Sequence, residues 1–196
     1  YLQDKIGAKL TINIALAFWI IATLIAFIIT PEKQFSKSTM DIVFNPNGES
    51  IIIGDEDGYL IRRNATSEMI IRPRLALEGG TIYDLKVIPQ GMLHTTDPLQ
   101  GDRLAVGMED GTVYIIPLNE GWFEVEITIP PPNGFGTMVY AMAVNNDGTL
   151  FAIGDEQGGI RLYDISTGFR QNMSPVHTYR HEEKDTSAVM NLIFND

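Results

Sequence analysis

Residues 51–58 read Ile51-Ile52-Ile53-Gly54-Asp55-Glu56-Asp57-Gly58: an apolar run, a glycine, an acidic stretch and a second glycine. The same pattern recurs at residues 104–111 and at residues 151–158. An Asp-Gly type turn between two apolar segments is the chemistry of a β-hairpin. Copies about fifty residues apart are typical of repeat architectures built from such units. The sequence therefore predicts three successive hairpin repeats.

Each repeat is expected to supply four strands. An opening strand of alternating apolar residues ends in a turn of Asn, Pro, Asp or Gly. The four opening strands begin at Thr39, Ile82, Val139 and Val189. A second strand runs into the acidic hairpin, and a third strand leaves it at Tyr59 to Arg63, Thr112 to Ile116 and Ile160 to Tyr163. A weaker fourth strand is predicted at Glu68 to Leu77, Phe123 to Ile129 and Pro175 to Tyr179.

The second repeat carries an insertion in its first hairpin. Gly48 to Gly58 spans ten residues, whereas the equivalent Gly91 to Gly111 spans twenty. The extra segment, Met92 to Gly101, is polar and suits an exposed loop. Loops of this kind commonly carry the binding differences between related scaffolds.

The third repeat resembles the WD40 family. Gly159-Ile160-Arg161-Leu162-Tyr163-Asp164 stands where the family shows Gly-x-Ile-Arg-Leu-Trp-Asp, and Val139 to Gly148 stands where a strand enters Ser-Pro-Asp-Gly. Asp57 and Asp110 match the family's turn aspartate. The other two copies lack Trp-Asp, and the Gly-His dipeptide is missing, although His181 lies near its place.

The resemblance covers about residues 36 to 196 and implies an all-β fold of four-stranded antiparallel β-propeller blades around a channel. The blades are expected at about 39–80, 81–137 and 138–188, with the first strand of a fourth at 189–196. Propellers close with about four to eight blades. We therefore expect the repeat to continue beyond Asp196, or other chains to complete the ring.

A long apolar run precedes the repeats. Leu10 to Ile29 contains twenty residues and no charge. A helix of that length spans about 30 Å, the thickness of a bilayer's hydrocarbon core. The sequence predicts an N-terminal flank at 1–9, one transmembrane α-helix at 10–30 and a linker at 31–38.

Two other readings of this run are less favourable. A cleaved signal peptide needs small residues before its cleavage site, whereas Phe27 to Thr30 precede Pro31 here. A buried soluble helix would show polar residues on one face, and none recur in the run. Lysines are nearly balanced across it, with Lys5 and Lys9 before and Lys33 and Lys37 after. We expect a cytoplasmic N-terminus and a propeller on the extracytoplasmic side, either periplasmic or lumenal.

Composition excludes several kinds of partner and several kinds of chemical site. The 196 residues carry a formal charge of -11 and no cysteine. The acidic balance argues against nucleic acid and against anionic lipid surfaces as partners of the main body. Without cysteine the chain has no disulfide, no thiolate metal site and no cysteine nucleophile.

No residue is predicted to be catalytic, to bind a cofactor or to ligate a metal. Asp55-Glu56-Asp57 lacks the spaced ligand series of a calcium loop, and its residues suit a tight turn. His177 and His181 are four residues apart on a predicted strand and loop, where they lie about 13 Å from each other. Motifs for serine hydrolases, phosphate loops and zinc proteases are absent from the sequence.

These features predict a non-enzymatic, membrane-anchored protein-interaction scaffold, or an assembly subunit of a membrane complex, whose propeller binds other protein subunits. Two alternatives remain open. The propeller could be the extramembrane domain of a larger transporter permease or transmembrane sensor kinase, which further spans or a kinase domain would reveal. It could also hold a small ligand in its channel, which would need polar side chains clustered there.

Overall fold

A computed structural model of the protein describes residues 38–67, 69–71, 74–89, 101–118, 124–131, 138–180 and 187–195. The chain divides into two compact units after Ser36, and all described residues belong to the second unit. They form an all-β domain. Its strands are β1 (Thr39–Phe44), β2 (Ser50–Asp55), β3 (Tyr59–Asn64), β4 (Leu75–Ala76), β5 (Ile82–Ile88), β6 (Arg103–Met108), β7 (Val113–Pro117), β8 (Ile127–Ile129), β9 (Val139–Val144), β10 (Leu150–Asp155), β11 (Ile160–Asp164) and β12 (His177–Tyr179).

The strands form three four-stranded antiparallel sheets in simple sequential order. β1 to β4 make the first sheet, β5 to β8 the second and β9 to β12 the third. The predicted four-stranded blades are therefore confirmed as sheets. The fourth strands β4, β8 and β12 are shorter than predicted.

The second strand of each sheet is the most buried. Every residue of β6 is buried, and β2 and β10 each keep only one partly exposed residue. Apolar residues therefore occupy both faces of these strands, which explains their unbroken apolar sequence. Burial of each Ile or Leu contributes roughly 1.5–3 kcal/mol. One apolar core lies between the first and second sheets, and another between the second and third.

A glycine near the end of each second strand receives a side chain from the next repeat. A Cβ atom on Gly54 would lie 2.6 Å from Ile82 Cγ2, and one on Gly107 would lie 2.6 Å from Val139 Cγ1. At Gly154 the corresponding distance, to Val189 Cγ1, is 2.5 Å. Any larger residue would collide here, so the three glycines set one repeated step between successive repeats.

The predicted first strand of a fourth blade is only partly realised. Residues 187–195 enter none of the three described sheets. The amide of Val189 nevertheless donates to the Asp155 carbonyl oxygen at 3.0 Å, and its side chain covers Gly154. The segment thus begins against the third sheet as β5 and β9 begin against the sheets before them.

Several predicted segments lie outside the described residues and stay predictions. They are the N-terminal flank 1–9, the transmembrane helix 10–30, residues 31–37 of the linker and residues 92–100 of the insertion. Across the part of the chain that the structure describes, no helix has the length and apolarity needed to cross a membrane.

Candidate interaction surface

The first strand of each sheet contains a β-bulge at the same place. In β1 the pairing with β2 passes from Thr39 to Asp41, and in β5 the pairing with β6 passes from Ile82 to Asp84. In β9 the pairing with β10 skips Tyr140. The extra residues are therefore Met40, Tyr83 and Tyr140. A bulge bends its strand and redirects the extra side chain, and such bulges are frequent beside functional sites.

The bulged side chains form a row across the repeats. The rings of Tyr83 and Tyr140 meet edge to face, with centroids 5.0 Å apart. Met40 is 39% exposed, and Met190, at the equivalent position of the fourth opening segment, is 69% exposed. We call Met40, Tyr83, Tyr140 and Met190 the bulge row. It places one large side chain from each repeat on the same face of the sheets.

Each acidic turn lies beside the start of the first strand in its own sheet. The amide of Glu56 donates to the Ser38 carbonyl oxygen at 3.2 Å, and the amide of Glu109 donates to the Thr81 carbonyl oxygen at 2.9 Å. The amide of Glu156 donates to the Met138 carbonyl oxygen at 3.1 Å. Because the contact is the same in each sheet, the three turns share one face with the bulge row. We call turns 55–58, 108–111 and 155–158 the acidic rim.

Two carboxylates of the acidic rim are buried and shape the turns. Asp55 Oδ1 accepts from the amides of Asp57 and Tyr59 at 3.0 and 2.9 Å. Asp155 Oδ1 accepts from the amides of Gln157 and Gly159 at 3.0 and 2.8 Å. These aspartates therefore stabilise hairpins, as the sequence suggested for the acidic turns.

The aspartate that caps the acidic turn lies at different positions in the first and second sheets. Asp57, matched to the family's turn aspartate, is exposed, and the buried capping role belongs to Asp55. In the second sheet Met108 occupies the position of Asp55, and Asp110 caps the turn through the amide of Thr112 at 2.8 Å. Asp55 lies two residues before Asp57, and a carboxylate at either position can accept turn amides, so Asp55 caps the first turn and the WD40-matched Asp110 caps the second.

The first two turns of the acidic rim are tied together. The hydroxyl of Thr81 donates to the Glu56 carbonyl oxygen at 3.1 Å, and its amide donates to Glu109 Oε2 at 3.1 Å. Both the amide and the hydroxyl of Thr81 lower the pKa of Glu109. Thr81, at the junction of the first two repeats, thus holds the Glu109 side chain in a fixed position.

The bulge row and the acidic rim are electrostatically coupled. Burial raises the pKa of Tyr83, and Tyr140 raises it further. The carboxylates of Glu109 and Glu156, from two different turns, act on the same hydroxyl in the same direction. Tyr83 therefore lies within the field of the rim, and the two features form one surface.

A polar cleft of about 210 Å³ adjoins the bulge row. Asp41, Asp84 and Lys86 line it together with Tyr140 and Met190. Burial, followed by the charge of Asp41, raises the pKa of Asp84 to about 6.

The carboxylates of the cleft also bridge neighbouring repeats. Asp41 Oδ2 accepts from the amide of Leu85 at 2.7 Å, and Asp84 accepts from the amide of Met142. Ala141 occupies the equivalent position in the third repeat and has no carboxylate, so this contact from one repeat to the next is not continued there. Polar side chains do converge in the cleft, as the channel-ligand alternative required: the charged ones come from the first two repeats, and Tyr140 and Asn191 come from the next two opening segments.

Among the described residues, no group of three or more His, Asp or Glu side chains is arranged so that it could hold a metal ion. His177 is exposed on β12, and His181 lies outside the described residues. The bulge row and the Asp41–Asp84 pair were not predicted as site residues. Aligning the first three opening strands by their turn glycines, and the fourth by matching Asn195 to Asn45 and Asn145, puts Met40, Tyr83, Tyr140 and Met190 in one column. A bulge, however, cannot be read from apolar alternation.

Comparisons with known proteins identify the fold. No family model matches the chain, and no curated protein matches it. Among solved structures, a chain of the Mitotic Checkpoint Complex matches with a TM-score of 0.61 at 15% identity, and Saccharomyces cerevisiae Sqt1 matches with 0.62 at 18%. Both are WD40-type proteins. The computationally designed Ika4 protein matches with 0.56 at 17% identity.

The matched share differs among these structures. The alignments cover 83%, 81% and 84% of this chain, but 44% of the checkpoint chain, 41% of Sqt1 and 84% of Ika4. The chain thus spans less than half the length of the two natural neighbours. At these identities the likeness shows the fold alone, and 719 solved chains share it. The described sheets therefore belong to a WD40-like architecture, as the sequence resemblance implied.

Proposed function

We propose that this protein is a non-enzymatic interaction platform, which binds another protein through the bulge row and the acidic rim. The observation that carries the proposal is the triple repetition of one device. Each sheet contributes a bulged apolar or aromatic side chain and an acidic turn to the same face. Exposed large side chains within a polar border have the anatomy of a protein-binding surface.

Backbone rigidity supports the same conclusion. The turns are closed by buried aspartates and by the contacts of Thr81, so the surface needs little ordering on association. A preorganised surface loses less conformational entropy when it binds. Neighbours from protein assemblies, such as the Mitotic Checkpoint Complex, are in keeping with a platform.

Site-specific photo-cross-linking in native membranes tests the platform. A benzophenone amino acid replaces Asp57, on the acidic rim, or Asn47, in the opposite turn of the same sheet. We expect discrete protein adducts from position 57 and none from position 47. Equal adducts at both positions, or none at position 57, would overturn the proposal.

We further propose that Leu10 to Ile29 anchors the platform in a membrane, with the sheets on the extracytoplasmic side and the partner in a membrane complex. The length and apolarity of that run support the anchor. Replacing Ile20, Ile21 and Leu24 by aspartate is expected to release the protein during carbonate extraction. Protease added to sealed vesicles should digest the sheets only from the extracytoplasmic side; digestion from the cytoplasmic side would reverse the proposed orientation.

A further inference from the structure

The charge of the surface restricts the chemistry of its partner. The three turns of the acidic rim and the neighbouring loop 78–81 hold eight acidic residues and no basic residue; Asp55 and Asp155 among them are buried, and Arg180 of the third repeat donates to Gln157 Oε1 at 3.2 Å. The opposite face also carries acidic residues, but there they lie among arginines: Arg103 pairs with Glu126 at 3.1 Å, and Arg170 lies close enough to act on Asp164. The negative charge is therefore concentrated on the face that carries the bulge row.

The apolar part of the surface requires a second element in the partner. Met40 and Met190 are exposed, and Tyr83 and Tyr140 present an edge-to-face pair between them. Methionine and tyrosine surfaces adapt to apolar side chains and contribute strongly when water is excluded. A purely basic segment would leave this apolar surface exposed to water, and a purely apolar segment would not match the net negative charge of the acidic rim.

We infer that the partner presents a basic segment of polypeptide in which lysine or arginine alternates with large apolar residues. Its apolar side chains lie on the bulge row, and its cations face the acidic rim and the Asp41–Asp84 cleft. The inference rests on the proposed platform and specifies the class of its ligand. Charge complementarity of this kind steers association and makes it sensitive to salt.

Fluorescence anisotropy with a defined probe tests the inference. The probe is a short fluorescein-labelled peptide of alternating lysine and leucine, titrated with the full chain in micelles of an uncharged detergent. One control peptide replaces lysine by glutamate, and another replaces leucine by serine. We expect binding of the lysine–leucine peptide alone, weakening as the ionic strength rises.

Matched variants locate the binding. The triple variant D57N/D110N/E156Q removes one charge from each turn of the acidic rim, whereas E49Q/D147N/D164N removes the same charges elsewhere. We expect the first to weaken binding about tenfold and the second less than about twofold. The amide replacements keep a side-chain oxygen for each turn, and circular dichroism verifies that both variants fold.

The apolar contact has its own pair of variants. M40S/M190S is expected to weaken binding several-fold, whereas M69S, at an exposed methionine beside Asn64, is expected to leave it unchanged. Equal effects of the rim and control variants, or equal affinity for the glutamate peptide, would overturn the inference. If position 57 still forms adducts in native membranes, that outcome rejects the partner chemistry and leaves the platform standing. Absence of those adducts rejects the platform itself.

Discussion

Gly54, Gly107 and Gly154 have no room for a side chain because the next repeat fills it. The three contacts use Ile82, Val139 and Val189 in turn, at nearly the same distance. Glycine is thus required here by close approach and not by an unusual backbone conformation. The Gly-acidic-Gly pattern in the sequence predicted a hairpin correctly, but the first glycine serves the neighbouring repeat and not the turn.

The first prediction concerns the contact between Gly107 and Val139. Gly107→Ala is expected to destabilise the fold by about 1–3 kcal/mol, because the added methyl group overlaps Val139. In the double variant with Val139→Ala, the two effects should be less than additive, since the shortened side chain makes room. Chemical denaturation measures all four members of this cycle. Strict additivity would show that the two residues do not touch.

The second prediction concerns Asp84, whose pKa is raised to about 6 by burial and by Asp41. Between about pH 4 and 6 the folded state keeps a proton that the unfolded state has lost, so stability falls as pH rises through this window. Asp84→Asn removes this penalty and should stabilise the protein by about 1–3 kcal/mol at pH 7. The gain should vanish near pH 4.

Denaturation of Asp84→Asn at several pH values checks that prediction. The exposed Asp147→Asn serves as the control and should show no such pH-dependent difference. A gain of equal size at pH 4 and pH 7 would contradict the shifted pKa and indicate a packing effect.

At the scale of elements, β-bulges determine which side chains of the first strands face the surface. Alternation correctly predicted β1, β5 and β9, because one face of each packs against a core. It did not predict that Met40, Tyr83 and Tyr140 leave the alternation at one shared bulge. A bulge depends on how the partner strand pairs, and that information lies more than ten residues away in the chain.

The fourth strands and the fourth opening segment show the same limit of prediction from the local sequence. β4 is short although its sequence pattern is long, and residues 187–195 carry a strand pattern without joining a described sheet. An apolar alternating segment becomes a strand only where a neighbour offers hydrogen bonds. Propensity alone therefore overestimated residues 187–195, whereas residues 69–71 of the predicted fourth strand do bond to β3, at Asn64 and Arg62.

The third prediction concerns the link between a loop and a turn of the acidic rim. Thr81→Val removes the hydroxyl that helps to lower the pKa of Glu109. The pKa of Glu109 should therefore rise towards its ordinary value, as measured by carbon NMR titration of its carboxyl group. Thr66→Val, on the opposite face, should leave that pKa unchanged. An unaltered Glu109 in Thr81→Val would show that the loop does not hold the rim.

At the scale of the whole molecule, one step is repeated between successive repeats. Each step combines a glycine, the apolar side chain that covers it and a bulged residue beside an acidic turn. Repetition of the step brings the acidic turns to one face, and this is what turns three local patterns into a surface. The repeat itself could be predicted from the sequence, whereas the joint surface required the positions of neighbouring sheets.

Disulfide trapping tests the repeated step most directly, because the chain has no cysteine of its own. Cysteine pairs replace Gly54 with Ile82, Gly107 with Val139, and Gly154 with Val189, where the Cβ positions lie 3.1, 3.0 and 2.8 Å apart. These separations are slightly below the disulfide range of about 3.5–4.5 Å, and small shifts reach it. Mild oxidation followed by mass spectrometry of the intact chain should show the loss of two hydrogens in all three variants. The mismatched pair at positions 54 and 139 should stay reduced. Failure of the matched pairs, or equal oxidation of the mismatched pair, would contradict the account.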